Sequence, residues 1–210
     1  MGSSPPPEHY FSPEPAAPSR PAEVRLDLPD ASFTLRTDRG VFSAARVDPG
    51  TKVLLLTAPP PPPAGDLVDL GCGYGPIALT LASRSPDASV WAVDVNERAL
   101  ALTRANAAAA GLANVRAVRP EDVPDGLRPA GLWSNPPVRV GKAALHELLG
   151  TWLPRLAGGA HAVLVVQKHL GADSLQRWLQ GEGWTAERIA SRMAYRVLDV
   201  SRAGEGEVRP

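Results

Sequence analysis

Three glycines at alternate positions, Gly71, Gly73 and Gly75, are the first residues of this chain that could form a ligand site. The largely apolar run Leu67-Val68-Asp69-Leu70 precedes them, and Pro76 opens a run that is typical of a helix. The sequence therefore predicts a buried strand, a tight turn and a helix, because proline is well tolerated in a first helical turn. Such a turn allows close backbone approach, and the free N–H groups of the helix favour a polar or anionic ligand group.

The glycine spacing excludes two common nucleotide-binding patterns. The dinucleotide pattern G-x-G-x-x-G would place its third glycine where Pro76 stands. No Gly-Lys-Ser or Gly-Lys-Thr follows the turn, so a P-loop is also excluded. Within the turn we interpret Cys72 as a tolerated small residue rather than a nucleophile.

A second candidate is Asp94, which ends the strand predicted over residues 88–94. A carboxylate there offers two acceptor oxygens, which suits two ribose hydroxyls, and Val95 adjoins it. The alternative is a surface carboxylate favoured by the dipole of the helix that begins after Asn96. The glycine turn one β–α unit upstream favours the ligand-binding interpretation.

The third candidate is Ser134-Asn135-Pro136-Pro137, at the end of another predicted strand. A simple turn needs only one proline, so an apolar strand that ends in an amide and two prolines indicates more than a change of direction. Arg139 and Lys142 follow closely. They are either RNA phosphate contacts or solvated residues of a loop and a helix start.

The segments around these candidates alternate as β–α units do and predict an α/β fold. Residues 184–191 and 194–200 are expected to form a terminal antiparallel pair. Residues 24–28 and 33–36 alternate in polarity and predict a small hairpin before the main fold. Proline-rich stretches suggest the domain boundaries: a disordered leader (1–21), a β preamble with a proline spacer (22–63), the main domain (64–202) and a disordered tail (203–210).

Composition narrows the class of protein. The 22 basic residues balance 22 acidic ones across 210 residues, so the chain lacks the strong positive charge of many nucleic-acid-binding domains. A single cysteine excludes an internal disulfide and a cysteine-built zinc site, and the histidines have no metal-ligand spacing. No apolar run reaches the length of a membrane span. These features predict a cytoplasmic protein without a metal.

The run Asp69-Leu70-Gly71-Cys72-Gly73-Tyr74-Gly75 resembles motif I of class I S-adenosylmethionine-dependent methyltransferases. That resemblance implies a Rossmann-like seven-stranded sheet with helices on both faces and an antiparallel strand pair at the carboxyl terminus. It also implies that the turn faces the methionine part of S-adenosylmethionine. An acidic residue after the third strand would lie beside the adenine, for which we favour Glu121 over Asp122, although both are equally consistent with solvated loop acids.

Residues 134–137 resemble motif IV of the methyltransferases that modify exocyclic or amide nitrogens. In that family the Asn side chain and the first proline's carbonyl accept the two N–H bonds of the target amine. The resemblance implies catalytic roles for Asn135, Pro136 and Pro137, with Asn135 also beside the cofactor. Holding both hydrogens lets the nitrogen pyramidalise and direct its lone pair at the sulfonium methyl, so no strong base is needed.

The whole pattern is most similar to the small-subunit ribosomal RNA guanine-N2 methyltransferase family. Residues 40–43, 48–51 and 134–142 all resemble it, and the match extends over roughly residues 10–202. It implies methylation of guanine N2 in 16S ribosomal RNA, with ribosomal RNA or the small subunit as partner. Oligomeric state is not predicted.

The sequence departs from the family pattern at Val138, where an aromatic residue usually stacks on the target base. A valine can press on a ring but offers no π-face. The missing face could come from residues 9–11 (His-Tyr-Phe), from Phe42 or from Arg139. Two alternatives stay open: a protein glutamine N5-methyltransferase, which Val138 disfavours, and a non-catalytic cofactor-binding module, which the intact residues 135–137 disfavour.

Overall fold

The computed structural model describes residues 17–202, apart from the side chain of Arg139. Residues 1–16 and 203–210 lie outside this range, and with them most of the predicted leader, the aromatic residues 9–11 and the predicted tail.

Nine strands and five α-helices lie within residues 17–202. The strands are β1 (Ala22–Asp27), β2 (Ser32–Thr37), β3 (Ala64–Leu70), β4 (Asp87–Val93), β5 (Val115–Val118), β6 (Gly131–Ser134), β7 (His161–Gln167), β8 (Trp184–Arg192) and β9 (Tyr195–Arg202). The helices are α1 (Pro49–Thr57), α2 (Pro76–Arg84), α3 (Glu97–Ala109), α4 (Lys142–Trp152) and α5 (Ala172–Gly181). Every predicted strand and helix is present, with boundaries shifted by a few residues.

Seven strands form one sheet in the order β5-β4-β3-β6-β7-β9-β8. The pairs from β5 to β7 are parallel, whereas β9 runs antiparallel to both β7 and β8. The separate β1–β2 hairpin is also antiparallel. The structure therefore confirms the predicted α/β fold with its seven-stranded sheet, terminal antiparallel pair and small amino-terminal β element.

Helices cover both faces of this sheet, which explains why the central strands β6 and β7 are mostly apolar and buried. On one face, the hairpin, α1, α2 and α3 share a buried cluster with Leu67, Val90 and Val163. On the other, α4 and α5 pack against Val68 and Leu132 in a second cluster. Alternate residues of β3 thus point into different cores.

Residues 22–63 contain a helix in addition to the predicted hairpin. Asp48 is the N-cap of α1, where its side chain accepts hydrogen bonds from the backbone N–H groups of Gly50 and Thr51, and Pro49 takes the first helical position. Leu54 and Leu55 bury the helix in the first cluster. Helix α1 therefore packs directly on the sheet that bears the candidate residues.

The strand order reverses between β3 and β6, since the chain leaves β3 toward β4 on one side and returns as β6 on the other. In open α/β sheets, ligands bind at the carboxyl ends of the strands that flank such a point. The glycine turn follows β3 and the Asn-Pro-Pro turn follows β6. The topology therefore places the two strongest sequence candidates side by side.

Gly75 tolerates a side chain less well than Gly73 does in the same turn. Its φ is 97°, and an added Cβ would lie 2.8 Å from Leu79 Cδ1 and 3.1 Å from Thr103. We expect Gly75→Ala to lower the free energy of unfolding by about 1–3 kcal/mol from backbone strain, with the steric contacts adding to that loss. Urea denaturation measures the change.

Gly73→Ala is the matched control, because its φ is 56° and an added Cβ there would meet no atom within 4 Å. We expect it to cost about 1 kcal/mol, the usual penalty for a left-handed alanine. Equal losses in the two variants would contradict the steric account.

Candidate active site

A pocket lies at the switch point, between the glycine turn, the Asn-Pro-Pro turn and the segment that leads into α1. It is formed by backbone of the turn and by a few polar and aromatic side chains. The lining residues are Phe42, Ser43, Asp48, Thr51, Gly71, Cys72, Gly73, Tyr74, Pro76, Ile77 and Asn135.

Hydrogen bonds from two neighbouring elements hold the glycine turn in place. The N–H groups of Gly71 and Cys72 donate to the carbonyl of Val93, at 2.8 and 3.0 Å. Thr103 Oγ1 on α3 donates to the carbonyl of Gly73 at 2.9 Å. Gly71 and Gly73 have φ values of 78° and 56°, in the left-handed region that glycine adopts most easily. The turn is therefore rigid, and open space remains at Gly73 where a side chain would lie.

Asp94 lies beside this turn at the end of β4. Its Oδ2 accepts the N–H of Gly73 at 2.9 Å, and its Oδ1 accepts the N–H of Asn96 at 2.9 Å. Burial raises the pKa of Asp94, while these backbone N–H groups oppose the shift. The backbone N–H of Val95 also interacts with this carboxylate, which lies beside the pocket but outside its lining. The role of Asp94 as an acceptor for ribose hydroxyls stays a prediction. Val95 adjoins it, half-buried and outside the pocket lining.

Asp69 lies beneath the turn and is fully buried. Its Oδ2 accepts the N–H of Ala78 at 2.9 Å, whereas Oδ1 has no partner among the described residues. Burial raises the pKa of Asp69 to about 8, with the charge of Asp94 adding to the effect. Asp69 thus contacts α2 directly and reaches the pocket only through that helix and the turn.

Cys72 lines the pocket through a buried side chain whose sulfur lies 3.7 Å from Thr103 Oγ1. Burial raises the pKa of the thiol well above its usual value. Because the nucleophilic form of cysteine is the thiolate, this environment agrees with the interpretation of Cys72 as a small structural residue.

Asn135 is held by the amino-terminal end of α1. Its Nδ2 donates to Asp48 Oδ1 at 2.9 Å and to Thr51 Oγ1 at 3.0 Å. An ionised aspartate can only accept hydrogen bonds, so the NH₂ side of the amide must face α1. Asn135 Oδ1 then lies on the opposite side of the amide as an acceptor that no donor within residues 17–202 engages. This orientation is the one that recognition of an amine requires.

The backbone near Asn135 connects the two strand ends. Ser134 Oγ donates to the carbonyl of Leu70 at 2.6 Å, which joins the end of β6 to the end of β3. The carbonyl of Pro136 accepts the N–H of Val138 at 2.8 Å. A carbonyl oxygen has two lone pairs, so one remains for a second donor. Asn135 lines the pocket, whereas Pro136 and Pro137 lie outside its lining, and Pro136 is buried. The role of the Pro136 carbonyl as a second acceptor stays a prediction.

The other predicted site residues lie outside the pocket lining. Glu121 is exposed in a short 3₁₀ turn after β5 and pairs with Arg119 at 2.5 Å. Val138 packs against the second cluster, and Lys142 is the exposed first residue of α4. Only the backbone of Arg139 is described.

Asp48 and Thr51 are the site residues that the sequence analysis did not assign. Their pattern, Asp-Pro-Gly-Thr, is a recognisable helix start, with Asp as N-cap and Pro at the first position. Nothing in that local pattern indicates that the same carboxylate also contacts Asn135, 87 positions away in the chain. Phe42, predicted only as one possible ring face, lines the same pocket.

The family model of the methyltransferase small domain matches residues 32–199. The chain belongs to the methyltransferase small domain family. The match confirms the predicted class of enzyme, a methyltransferase, with S-adenosylmethionine as methyl donor. The hydrogen-bonded glycine turn, the open space at Gly73 and the carboxylate of Asp94 beside the turn fit that cofactor.

Relatives with curated names support the same family. The protein YbxB of Bacillus subtilis, described as uncharacterized, is 36% identical over 170 residues, which cover 80% of this chain and 85% of YbxB. Ribosomal RNA small subunit methyltransferase C of Shewanella pealeana is 32% identical over 71% of this chain. Ribosomal RNA large subunit methyltransferase G of a Shewanella species is 30% identical over 87% of this chain. The alignments span 44% and 50% of those two enzymes, so this chain covers about half of their length.

Among solved structures, a 16S rRNA N2-guanosine methyltransferase of Thermus thermophilus in complex with AdoMet and guanosine has the same fold. Its TM-score is 0.73 at 24% identity, over 89% of this chain and 52% of that one. Within residues 17–202, no helix has the length and apolarity that a membrane crossing requires, and no cluster of His, Cys, Asp and Glu resembles a metal site.

The contact between Asp48 and Asn135 predicts a loss of turnover in Asp48→Ala. Without this acceptor the amide of Asn135 can rotate, and misplacement of about 1 Å costs up to about a hundredfold in rate. We expect turnover to fall by about tenfold to a hundredfold, and the lost N-cap to cost about 1 kcal/mol of stability. Methyl-transfer kinetics and urea denaturation measure the two effects.

Asp48→Asn is the control, because its amide oxygen can still cap α1 and accept from Asn135. S-adenosylmethionine affinity, measured by calorimetry, should change little in either variant. Wild-type turnover in Asp48→Ala would show that Asn135 needs no support from α1.

Proposed function

We propose that this protein transfers a methyl group from S-adenosylmethionine to the exocyclic N2 of a guanine in 16S ribosomal RNA. The observation that supports this most directly is the oriented amide of Asn135, which presents a free acceptor oxygen beside the glycine turn. A guanine amino group carries two hydrogens and therefore needs acceptors.

In this proposal the residues act by position and charge. S-adenosylmethionine, when bound, supplies an electrophilic methyl group. Asn135 Oδ1 and the Pro136 carbonyl accept the two N–H bonds of the target amine, which favours a pyramidal nitrogen with its lone pair available for attack. The same two dipoles stabilise the positive charge that develops on that nitrogen as the N–C bond forms and the methyl–sulfur bond breaks. The methylated nitrogen then loses its extra proton to water, so no general base has to be placed nearby.

The choice of RNA rests on the relatives together with this chemistry. One relative is named for the small subunit and one for the large subunit, so large-subunit RNA is the second candidate substrate. A solved neighbour is named for N2 of guanosine in 16S RNA, which favours the small-subunit guanine. In the protein glutamine alternative, the acceptor would be a flexible amide with no aromatic ring to stack on.

The experiment is methyl transfer from labelled S-adenosylmethionine to five acceptors: small subunits, large subunits, naked RNA from each, and a release-factor protein. Nucleoside digestion and mass spectrometry identify the product. We expect N2-methylguanosine from small-subunit RNA. In Asn135→Ala we expect turnover to fall by about a hundredfold or more, because the hydrogen bond that is lost stabilises the transition state. Label in large-subunit RNA or in protein glutamine would overturn the 16S assignment.

Phe42 is the residue that we propose replaces the aromatic usually found after Asn-Pro-Pro. It lines the same pocket as Asn135 and is 55% exposed, so its ring is available to a base. Stacking on one base is worth about 1–3 kcal/mol. We therefore expect Phe42→Ala to lower kcat/KM for RNA by about fivefold to a hundredfold, with S-adenosylmethionine affinity unchanged by calorimetry.

Phe42→Tyr retains a ring face and should keep most of the activity. Phe42→Leu keeps an apolar side chain without a ring face, so its activity distinguishes stacking on a base from simple apolar contact. If Phe42→Leu is as active as the wild type, the ring face is unnecessary and the assignment of Phe42 is wrong.

A further inference from the structure

A second concave surface lies on the other side of the segment that leads into α1. We call it the basic groove. It encloses about 320 Å³, enough for a group of nucleotide size. Its lining residues come from β1, from residues 45–52 and from the β8–β9 turn: Val24, Arg25, Ala45, Arg46, Val47, Pro49, Lys52 and Met193.

Positive charge predominates in the basic groove even though the whole chain is neutral. Arg25, Arg46 and Lys52 contribute three cations to its lining, which contains no acidic residue. Asp27 lies at one edge, where it pairs with Arg25 at 2.8 Å. Within residues 17–202, Arg46 and Lys52 form no such ion pair. Asp27 offsets part of this charge, since Lys52 also helps to lower the pKa of Asp27. Three cations beside one carboxylate still leave the groove positively charged.

Met193, in the turn between β8 and β9, lines the groove together with these cations. It and Ala194 are the two residues that connect β8 to β9, with φ values of 48° and 64°. Two-residue hairpin turns with both φ positive strongly favour Asn-Gly, because side chains strain the left-handed region. This chain instead has a strained methionine that is 74% exposed. A strained, exposed apolar residue at a concave surface points to a contact made outside the folded chain.

The basic groove is directly connected to the candidate active site. Phe42, Ser43 and Asp48 line the active-site pocket, while Arg46 lies between them in the chain and lines the groove. Arg46 also contacts the glycine turn, since its carbonyl accepts a hydrogen bond from the Tyr74 hydroxyl at 3.4 Å. The pocket and the groove are therefore built on one continuous segment, residues 42–52.

We propose that the basic groove binds the single-stranded RNA that flanks the target guanine, with Arg46 and Lys52 contacting phosphates and Met193 packing against a base. The inference rests on the RNA substrate proposed above. Phosphates at every nucleotide match the free cations, and an unstacked base matches the exposed thioether, which is soft and adapts to irregular surfaces. An acidic peptide would match the cations but gives no reason for the strained Met193.

The test is direct binding of a fluorescein-labelled, guanosine-containing single-stranded oligoribonucleotide, measured by anisotropy at several salt concentrations and without methyl transfer. We expect Arg46→Gln and Lys52→Gln each to weaken binding and to reduce the slope of log affinity against log salt by about one. The RNA affinity of the double variant should be lower than that of the wild type by about tenfold or more near physiological salt.

Met193→Asn gives an outcome that a merely structural role would not produce. Asparagine tolerates the left-handed region, so the hairpin should be at least as stable as in the wild type in urea denaturation. RNA affinity should nevertheless fall severalfold, because the apolar contact with a base is lost. Unchanged RNA affinity in this variant would remove Met193 from the site.

Arg177→Gln is the matched control for charge removal, since Arg177 is an exposed cation on α5, which packs on the other face of the sheet. It should leave the RNA affinity and the salt slope unchanged.

If the groove variants also bind RNA like the wild type while the wild type methylates RNA, the groove proposal is wrong and the proposed function stands. If the wild type neither binds nor methylates RNA, both fail. Polyglutamate that binds at the same salt as tightly as RNA would identify an acidic-protein surface and overturn the RNA assignment.

Discussion

The candidate active site depends on the pair of hydrogen bonds from the Asn135 amide to Asp48 and Thr51. An amide has two chemically different sides, and only the oxygen side can accept a bond from an amine. Because a carboxylate at the start of α1 accepts the NH₂ side, the oxygen side is left as an acceptor that none of residues 17–202 engages. The same Asp48 oxygen also caps α1, so helix formation and amide orientation reinforce each other.

This constraint gives the amino-terminal part of the chain a role in the site. Helix α1 is buried against the sheet, and the β1–β2 hairpin is held to the core by Asn106 on α3. The Asn106 side chain donates to the carbonyls of Arg36 and Tyr74 at 2.9 and 2.8 Å, and its Oδ1 accepts the N–H of Arg36 at 2.8 Å. One buried amide therefore links the hairpin to the glycine turn. The glycine turn, the Asn135 amide and the amino-terminal β hairpin with α1 form one packed unit.

Electrostatics in this molecule is local rather than global. Equal numbers of acidic and basic residues remove any overall attraction to RNA, yet the basic groove concentrates cations beside the active-site pocket. Surface charges more than about 10 Å apart are largely screened at physiological salt, so a local cluster is what a phosphate senses at contact. Neutral composition is thus compatible with RNA recognition, provided that the fold gathers the few free cations at one place.

Much of this protein was predictable from the sequence, because the relevant signals are local. Apolar runs, the glycine turn, Pro76 at a helix start and the Asn96 cap indicated the α/β fold, and the glycine and Asn-Pro-Pro turns marked the ends of β3 and β6.

Composition and periodicity do not encode which distant residues meet. Only the tertiary structure brought Asp48 to Asn135, placed Phe42 in the pocket, packed Val138 against the second cluster and gathered Arg46, Lys52 and Met193 in one groove. The physical reason is that these contacts arise from the packing of α1 and the hairpin on the sheet, and packing depends on the shapes of all the partners together.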